Sequence, residues 1–266
     1  MLNTNCPGSL RLKSALFWVG AIALSLAACQ PKTATDSPPP PSPAATSVPT
    51  PSPTPSPTPT AAADPQAAAA QREQGLDYRQ QGRFPEAIAA LERAVDLDPE
   101  HLDGRVLLGW TLHLADRQPD AATVLEAVLE RDAESVTALN ALGIVYLTSD
   151  RLEAAIATHE RAAALKPDNE IAYYNLSLAY HRQQDYATAI ARGERAAALE
   201  PSNPHPLVAL ALIYWDQGEM PRAREYYQQA IALDARYRDR GFLAHLPDAG
   251  FSESQWRTTE EILAAF

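Results

Sequence analysis

A fixed period constrains this 266-residue chain more than any other feature. Ala87, Ala121, Ala155, Ala189 and Ala223 stand 34 residues apart, and so do Gly75, Gly109 and Gly143. Tyr146, Tyr180 and Tyr214 keep the interval, with Tyr78 two periods before Tyr146. Pro167 and Pro201 keep it too, with Pro99 two periods before Pro167. Alanine is common enough here that its ladder alone would say little; four registers agreeing on one interval exclude coincidence. A unit this short cannot cover its own apolar face. Stacked neighbours can, so the period implies a solenoid whose stability grows by unit and by interface.

The third unit is the clearest: "VTALNALGIVYLTSDRLEAAIATHERAAALKPDN", residues 136–169. Its Leu142-Gly143, Tyr146, Ala155, Ala162 and Pro167 and its length resemble the tetratricopeptide repeat, a helix–turn–helix family of 34-residue units. Leu142, Gly143 and Tyr146 share one face of the first helix. Ala155 marks a close crossing on the second helix, Ala162 meets the next unit, and Pro167 ends the helix. The resemblance implies an all-α, right-handed α-solenoid of five helical hairpins over 65–237. The units are 68–101, 102–135, 136–169, 170–203 and 204–237. Some positions depart from the pattern. Gln74 replaces the first unit's leucine, as suits a terminal unit facing water. Ser177 and Ala211 replace glycine, Val128 and Ala133 replace alanine and proline, and Ala235 replaces proline. Gly193 stands where the second helix carries a large residue, and a soft spot is expected there.

Residues 238–266 follow the last unit. "DAG" turns the chain, and Ser252 with Gln255 reads as a capping box. Trp256, Ile262, Leu263 and Phe266 fall roughly on one face. A capping helix over the open end of the stack is expected. The alternative is a helix that folds into the groove as an internal ligand.

The other end of the chain reads differently. Arg11 and Lys13 precede the apolar run Ala15 to Ala28, and fourteen helical residues span only about 21 Å against a bilayer core of about 30 Å. That pattern predicts a signal peptide over 1–28. Its end, "LAAC", Leu26 to Cys29, resembles the bacterial lipobox, which implies cleavage before Cys29 and a lipid on its thiol. Gln30 after the cysteine implies outer rather than inner membrane by the same resemblance. From Cys29 to Asp64 the chain is rich in proline, serine and threonine, "PSPTPSPTPT" at its centre, which predicts a semi-rigid polyproline spacer. The folded part is expected outside the cytoplasm, in the bacterial envelope.

A net charge of −11 argues against a nucleic-acid partner, which needs a basic surface. The two cysteines, Cys6 and Cys29, both precede the repeats, so neither a disulfide framework nor a thiol nucleophile is available there. No nucleophile-elbow, phosphate-loop or zinc-protease motif occurs. The six histidines are scattered. The reading is therefore not an enzyme, with no cofactor, no metal and no small-molecule substrate.

In the tetratricopeptide family the concave face is built by fixed positions of the first helix of each unit. Carried over, they are Val106, Leu107, Trp110 and His113, then Asn140, Ile144 and Leu147. Tyr174, Asn175, Leu178, His181 and Arg182 follow, then Val208, Leu212 and Trp215. Chaperone-type members clamp a carboxylate with cations; His205 and Ala209 stand where that clamp needs them. An apolar, aromatic groove for a peptide or amphipathic helix is expected instead. Anchor and repeats together resemble bacterial tetratricopeptide lipoproteins such as type IV pilus pilotins and NlpI-type adaptors. The implied function is a membrane-anchored scaffold for a protein partner in envelope or pilus assembly. Alternatives are an accessory subunit of a cell-wall enzyme, or self-association with the C-terminal helix in a groove.

Overall fold

The computed structural model describes residues 63–265. The expected leader, the Cys29 anchor and nearly all of the proline-rich tract lie outside them, as does Phe266. The described residues are helical throughout, and none of their helices is long and apolar enough to cross a membrane.

Ten helices form five consecutive hairpins. These are α1 (Pro65–Gln80) with α2 (Phe84–Leu97), α3 (Leu102–Leu114) with α4 (Gln118–Arg131), and α5 (Val136–Thr148) with α6 (Leu152–Leu165). Then come α7 (Glu170–Arg182) with α8 (Tyr186–Leu199) and α9 (His205–Asp216) with α10 (Met220–Leu233). Each hairpin turns on one left-handed residue, and these also stand 34 apart: Gly82, Asp116, Asp150, Gln184 and Gly218, φ 60 to 78°. The residue after each donates its N–H to a carbonyl five back, such as Arg83 to Tyr78 and Glu219 to Tyr214, both 2.9 Å. This closes the first helix with a Schellman-type cap. Between units, side chains cap the next helix. Asn169 accepts from the Ala172 amide, and the His101 ring accepts from Gly104 at 2.9 Å.

Packing inside each hairpin follows from size. The alanine ladder, Ala87 to Ala223, is wholly buried. A second ladder places a small residue of the first helix under a large residue of the second. A Cβ on Gly75 would meet Leu91 at 2.7 Å, on Gly109 would meet Leu125 at 2.6 Å, and on Gly143 would meet the His159 ring at 2.5 Å. The fourth hairpin inverts the pair. Gly193 lies on the second helix, and Leu210 and the Ser177 hydroxyl close on it, both 2.9 Å from the position a Cβ would take. The expected soft spot is therefore filled, because the next unit supplies a leucine.

α3, α5, α7 and α9 pack on one another in succession and form the inner wall. After α10 a short 3-10 helix (Ala235–Arg238) packs on it, and the Tyr227 hydroxyl donates to the Tyr237 carbonyl at 2.9 Å. A second 3-10 helix (Phe242–Ala249) leads through Gly250, φ 91°, into α11 (Glu253–Ala264). Both bonds of the expected capping box form between Ser252 and Gln255. α11 ends the stack against α9 and α10, while the segment before it crosses the inner wall. Cap and groove ligand are thus two parts of one segment. The buried face of α11 is Gln255, Thr259 and Ile262, and the expected Trp256 and Leu263 pack half-buried against the same core.

His159 is the anomaly of the core. It is 0 % exposed, and neither ring nitrogen has a hydrogen-bond partner among the described residues. Burial pushes its pKa down to about 3, which the Gly143 backbone offsets only in part. The unfolded chain, with a histidine pKa of about 6.5, takes a proton that the folded chain refuses, so stability is lost as pH falls below about 6.5. His159→Leu, matching Leu91 and Leu125, should raise stability at pH 7.5 by about 1–3 kcal/mol. It should also remove a loss of about 2 kcal/mol between pH 7.5 and pH 5. Urea denaturation of both proteins at the two pH values checks this. Equal pH sensitivity would refute it.

Candidate protein-binding groove

The expected groove residues do lie along the inner wall, but they divide into two groups. In the N-terminal half Trp110 of α3 is half-buried, and its ring lies 4.9 Å from that of His113. His113 Nδ1 is 2.7 Å from Gln118 Oε1, and burial holds the ring's pKa below the usual histidine range. Ile144 of α5 is half-buried beside them in sequence register. Asn140 is already engaged. It exchanges two amide hydrogen bonds with Asn169, 3.2 and 2.9 Å, and so fixes the join between the third and fourth units. It holds two helices together, with one N–H and its oxygen committed to that join.

In the C-terminal half the chain fills its own groove. Tyr174 of α7 donates its hydroxyl to the Ala249 carbonyl at 2.6 Å, and its ring lies 6.3 Å from that of Phe251. Burial holds the Tyr174 phenol neutral, its pKa well above the ordinary value. Gly250 is buried against Asn175, Leu178 and Leu147, with space for no more than ordinary contact at a Cβ. The Gln255 amide donates to the Leu178 carbonyl at 3.2 Å and to His181 Nδ1 at 2.9 Å. Its oxygen accepts the Ser252 N–H at 2.9 Å, which settles the amide's orientation. His181 therefore donates through Nε2 to Asp216, 2.8 Å away. Leu147, Leu178 and Leu212 are wholly buried, and Asn175 and His181 nearly so. All were expected to meet a partner; Leu147, Asn175, Leu178 and His181 meet residues 249–255 instead. Trp215 remains half-buried, lining a small cleft with Met220, Arg224, Ile262 and Ala265.

The polar groups that hold this segment were not singled out by periodicity. Ala249, Phe251 and the second role of Gln255 lie outside the repeats, and their partners lie about 75 residues earlier. The capping box was the available signal. It marks a helix start, but not the surface on which that start is seated.

Three tetratricopeptide-repeat family models match the chain, one over 60–101 and 72–135, one over 149–184 and one over 180–240. Among curated proteins there is no match. Among solved structures the chain is similar to MamA, at 27% identity over 61% of this chain and 95% of that one, with a TM-score of 0.54. MamA from Desulfovibrio magneticus matches at 21% identity over 64% and 96%, TM-score 0.57. A thermophilic tetratricopeptide-repeat protein of Thermus thermophilus matches at 21% over 64% and 93%, TM-score 0.56. At such identities the last two speak to the fold alone.

Gln255→Ala removes two donors and one acceptor from a buried site, which should cost about 1–3 kcal/mol locally. Amide hydrogen exchange across 242–264 should accelerate, with α1 to α6 unchanged. Unaltered protection of that segment would mean that it is held by other contacts.

Proposed function

The chain belongs to the tetratricopeptide-repeat proteins, and from that premise we propose that it is a non-catalytic scaffold that holds a protein partner in its concave groove. The observation that carries this reading is the self-bound segment. The inner wall accepts a main-chain carbonyl at Tyr174, an aromatic ring beside it and a glutamine amide at α7. Those are the contacts that an incoming extended peptide or helix start would offer. The half of the wall carrying Trp110, His113 and Ile144 is the place for it, since residues 249–255 cover the other half. Aromatic side chains of this kind concentrate binding energy, and a half-buried tryptophan has both area to give and a rigid frame.

The same reading places the protein on a membrane. The "LAAC" ending of the apolar run supports lipidation of Cys29, and the proline-rich tract supports a spacer between anchor and repeats. It supports an extracytoplasmic position in a bacterial envelope and a role in assembling other envelope proteins, as in the tetratricopeptide lipoproteins it resembles. Two outcomes test it. Labelled palmitate should enter the wild type and not Cys29→Ala; uptake by both would remove the anchor. Trp110→Ala should weaken binding to the partner co-purified from solubilised membranes more than tenfold, at roughly 2 kcal/mol for a groove anchor. Its melting temperature should remain near that of the wild type. Intact affinity in Trp110→Ala would overturn the groove assignment, and a mixed-chain exchange of the C-terminal segment would instead favour self-association.

A further inference from the structure

Residues 249–255 sit on the inner wall as a ligand would, and their contacts define what they present. In chain order, Ala249 offers its main-chain carbonyl to the Tyr174 hydroxyl at 2.6 Å. Gly250 then turns the chain at φ 91°, a left-handed conformation that glycine adopts without steric cost. Phe251 is buried, its ring 6.3 Å from that of Tyr174. Ser252 caps α11, and Gln255 stands at the third helical position after it.

Gln255 does more than close the capping box. Its oxygen accepts the Ser252 N–H at 2.9 Å, while its amide donates to the Leu178 carbonyl at 3.2 Å and to His181 Nδ1 at 2.9 Å. A capping box accepts glutamate as readily as glutamine, because it asks only for an acceptor. The wall asks for two donors and so distinguishes them. A carboxylate there would set oxygen against the Leu178 carbonyl and the His181 lone pair. Two features make this occupant separable from its seat. It joins the last repeat through residues 238–241, all of them exposed. Seating it also leaves Trp256 Nε1 buried with no hydrogen-bond partner among the described residues. A buried indole N–H without an acceptor favours release, since water would supply one.

We propose that residues 242–264 are a displaceable cover, and that the wall beneath binds a partner's helix start of the same pattern. That pattern is a glycine, an aromatic residue, a serine or threonine cap, and a glutamine three residues after the cap. The aromatic ring takes the place of Phe251 beside Tyr174, and the glutamine takes both acceptors on α7. The cover thereby holds the site closed until a segment that matches it arrives. The proposal rests on the inner wall being a protein-binding surface. It uses Tyr174, Leu178 and His181 rather than Trp110, so the two assignments can fail separately.

A fluorescein-labelled peptide of residues 247–258, added to the full-length protein, tests this. In the wild type, excess peptide should accelerate amide exchange across 242–264 and leave α1 to α6 unchanged. Full-length Gln255→Ala, whose own cover is loosened, should bind the peptide roughly tenfold or more tightly than the wild type does, as fluorescence anisotropy reads it. A peptide carrying Gln255→Glu should bind that variant roughly tenfold or more weakly than the native peptide, although both can cap a helix. No binding at millimolar peptide, equal affinity of wild type and Gln255→Ala, or equal affinity of the two peptides would each overturn the proposal. Dimers of Gln255→Ala in light scattering, dissociated by the peptide, would give the seat to a second copy and overturn its assignment to a different partner.

Discussion

The structure depends on how closely two helices approach within one hairpin. Gly75, Gly109 and Gly143 lie so near Leu91, Leu125 and His159 that even a methyl group would collide. That approach buries the alanine ladder and sets the tilt with which each hairpin meets the next. It also explains why the ladder tolerates inversion. When Gly193 replaces the large residue, Ser177 and Leu210 move the volume to the other side, and the helix spacing survives. Size complementarity is conserved across the pair, not at either position alone.

From that spacing follows the inner wall. Successive first helices touch, so their outward residues form one continuous surface, apolar and aromatic for most of its length. A solenoid leaves such a surface open at its concave side, and water is a poor solvent for it. This chain resolves the problem over half of the wall with its own C-terminal segment. The hold is polar as well as apolar. Tyr174 takes a main-chain carbonyl, and Gln255 bridges the start of α11 to Leu178 and His181. The result is a scaffold whose groove is occupied by its own segment in the C-terminal half, with Trp110 half-buried in the other.

Histidine has three different fates here. His101 caps a helix, His159 lies buried without a partner, and His205 and His245 face each other. In the sequence they are merely scattered. Their surroundings decide whether the ring serves as a cap, a core filler or one of a facing pair, since one ring offers a donor and an acceptor whose use depends on what stands opposite.

The sequence by itself determined the fold class. A 34-residue interval shared by alanine, glycine, tyrosine and proline permits only stacked hairpins, because local helix geometry and nearest-neighbour packing repeat with it. Trp110, Tyr174 and Trp215 could be placed on the inner helices α3, α7 and α9 for the same reason. The left-handed turn residues were equally periodic, but Asp116, Asp150 and Gln184 share no residue type with Gly82 and Gly218, so composition hid them. Only the tertiary structure decided what covers the groove. Residues 242–264 lie outside the period, and the seating of Ala249 on Tyr174 joins positions 75 apart in the chain. No local pattern encodes such a contact. It arises because an open apolar wall and a short amphipathic tail of the same chain are held close together, and their burial outweighs the entropy of closing the loop.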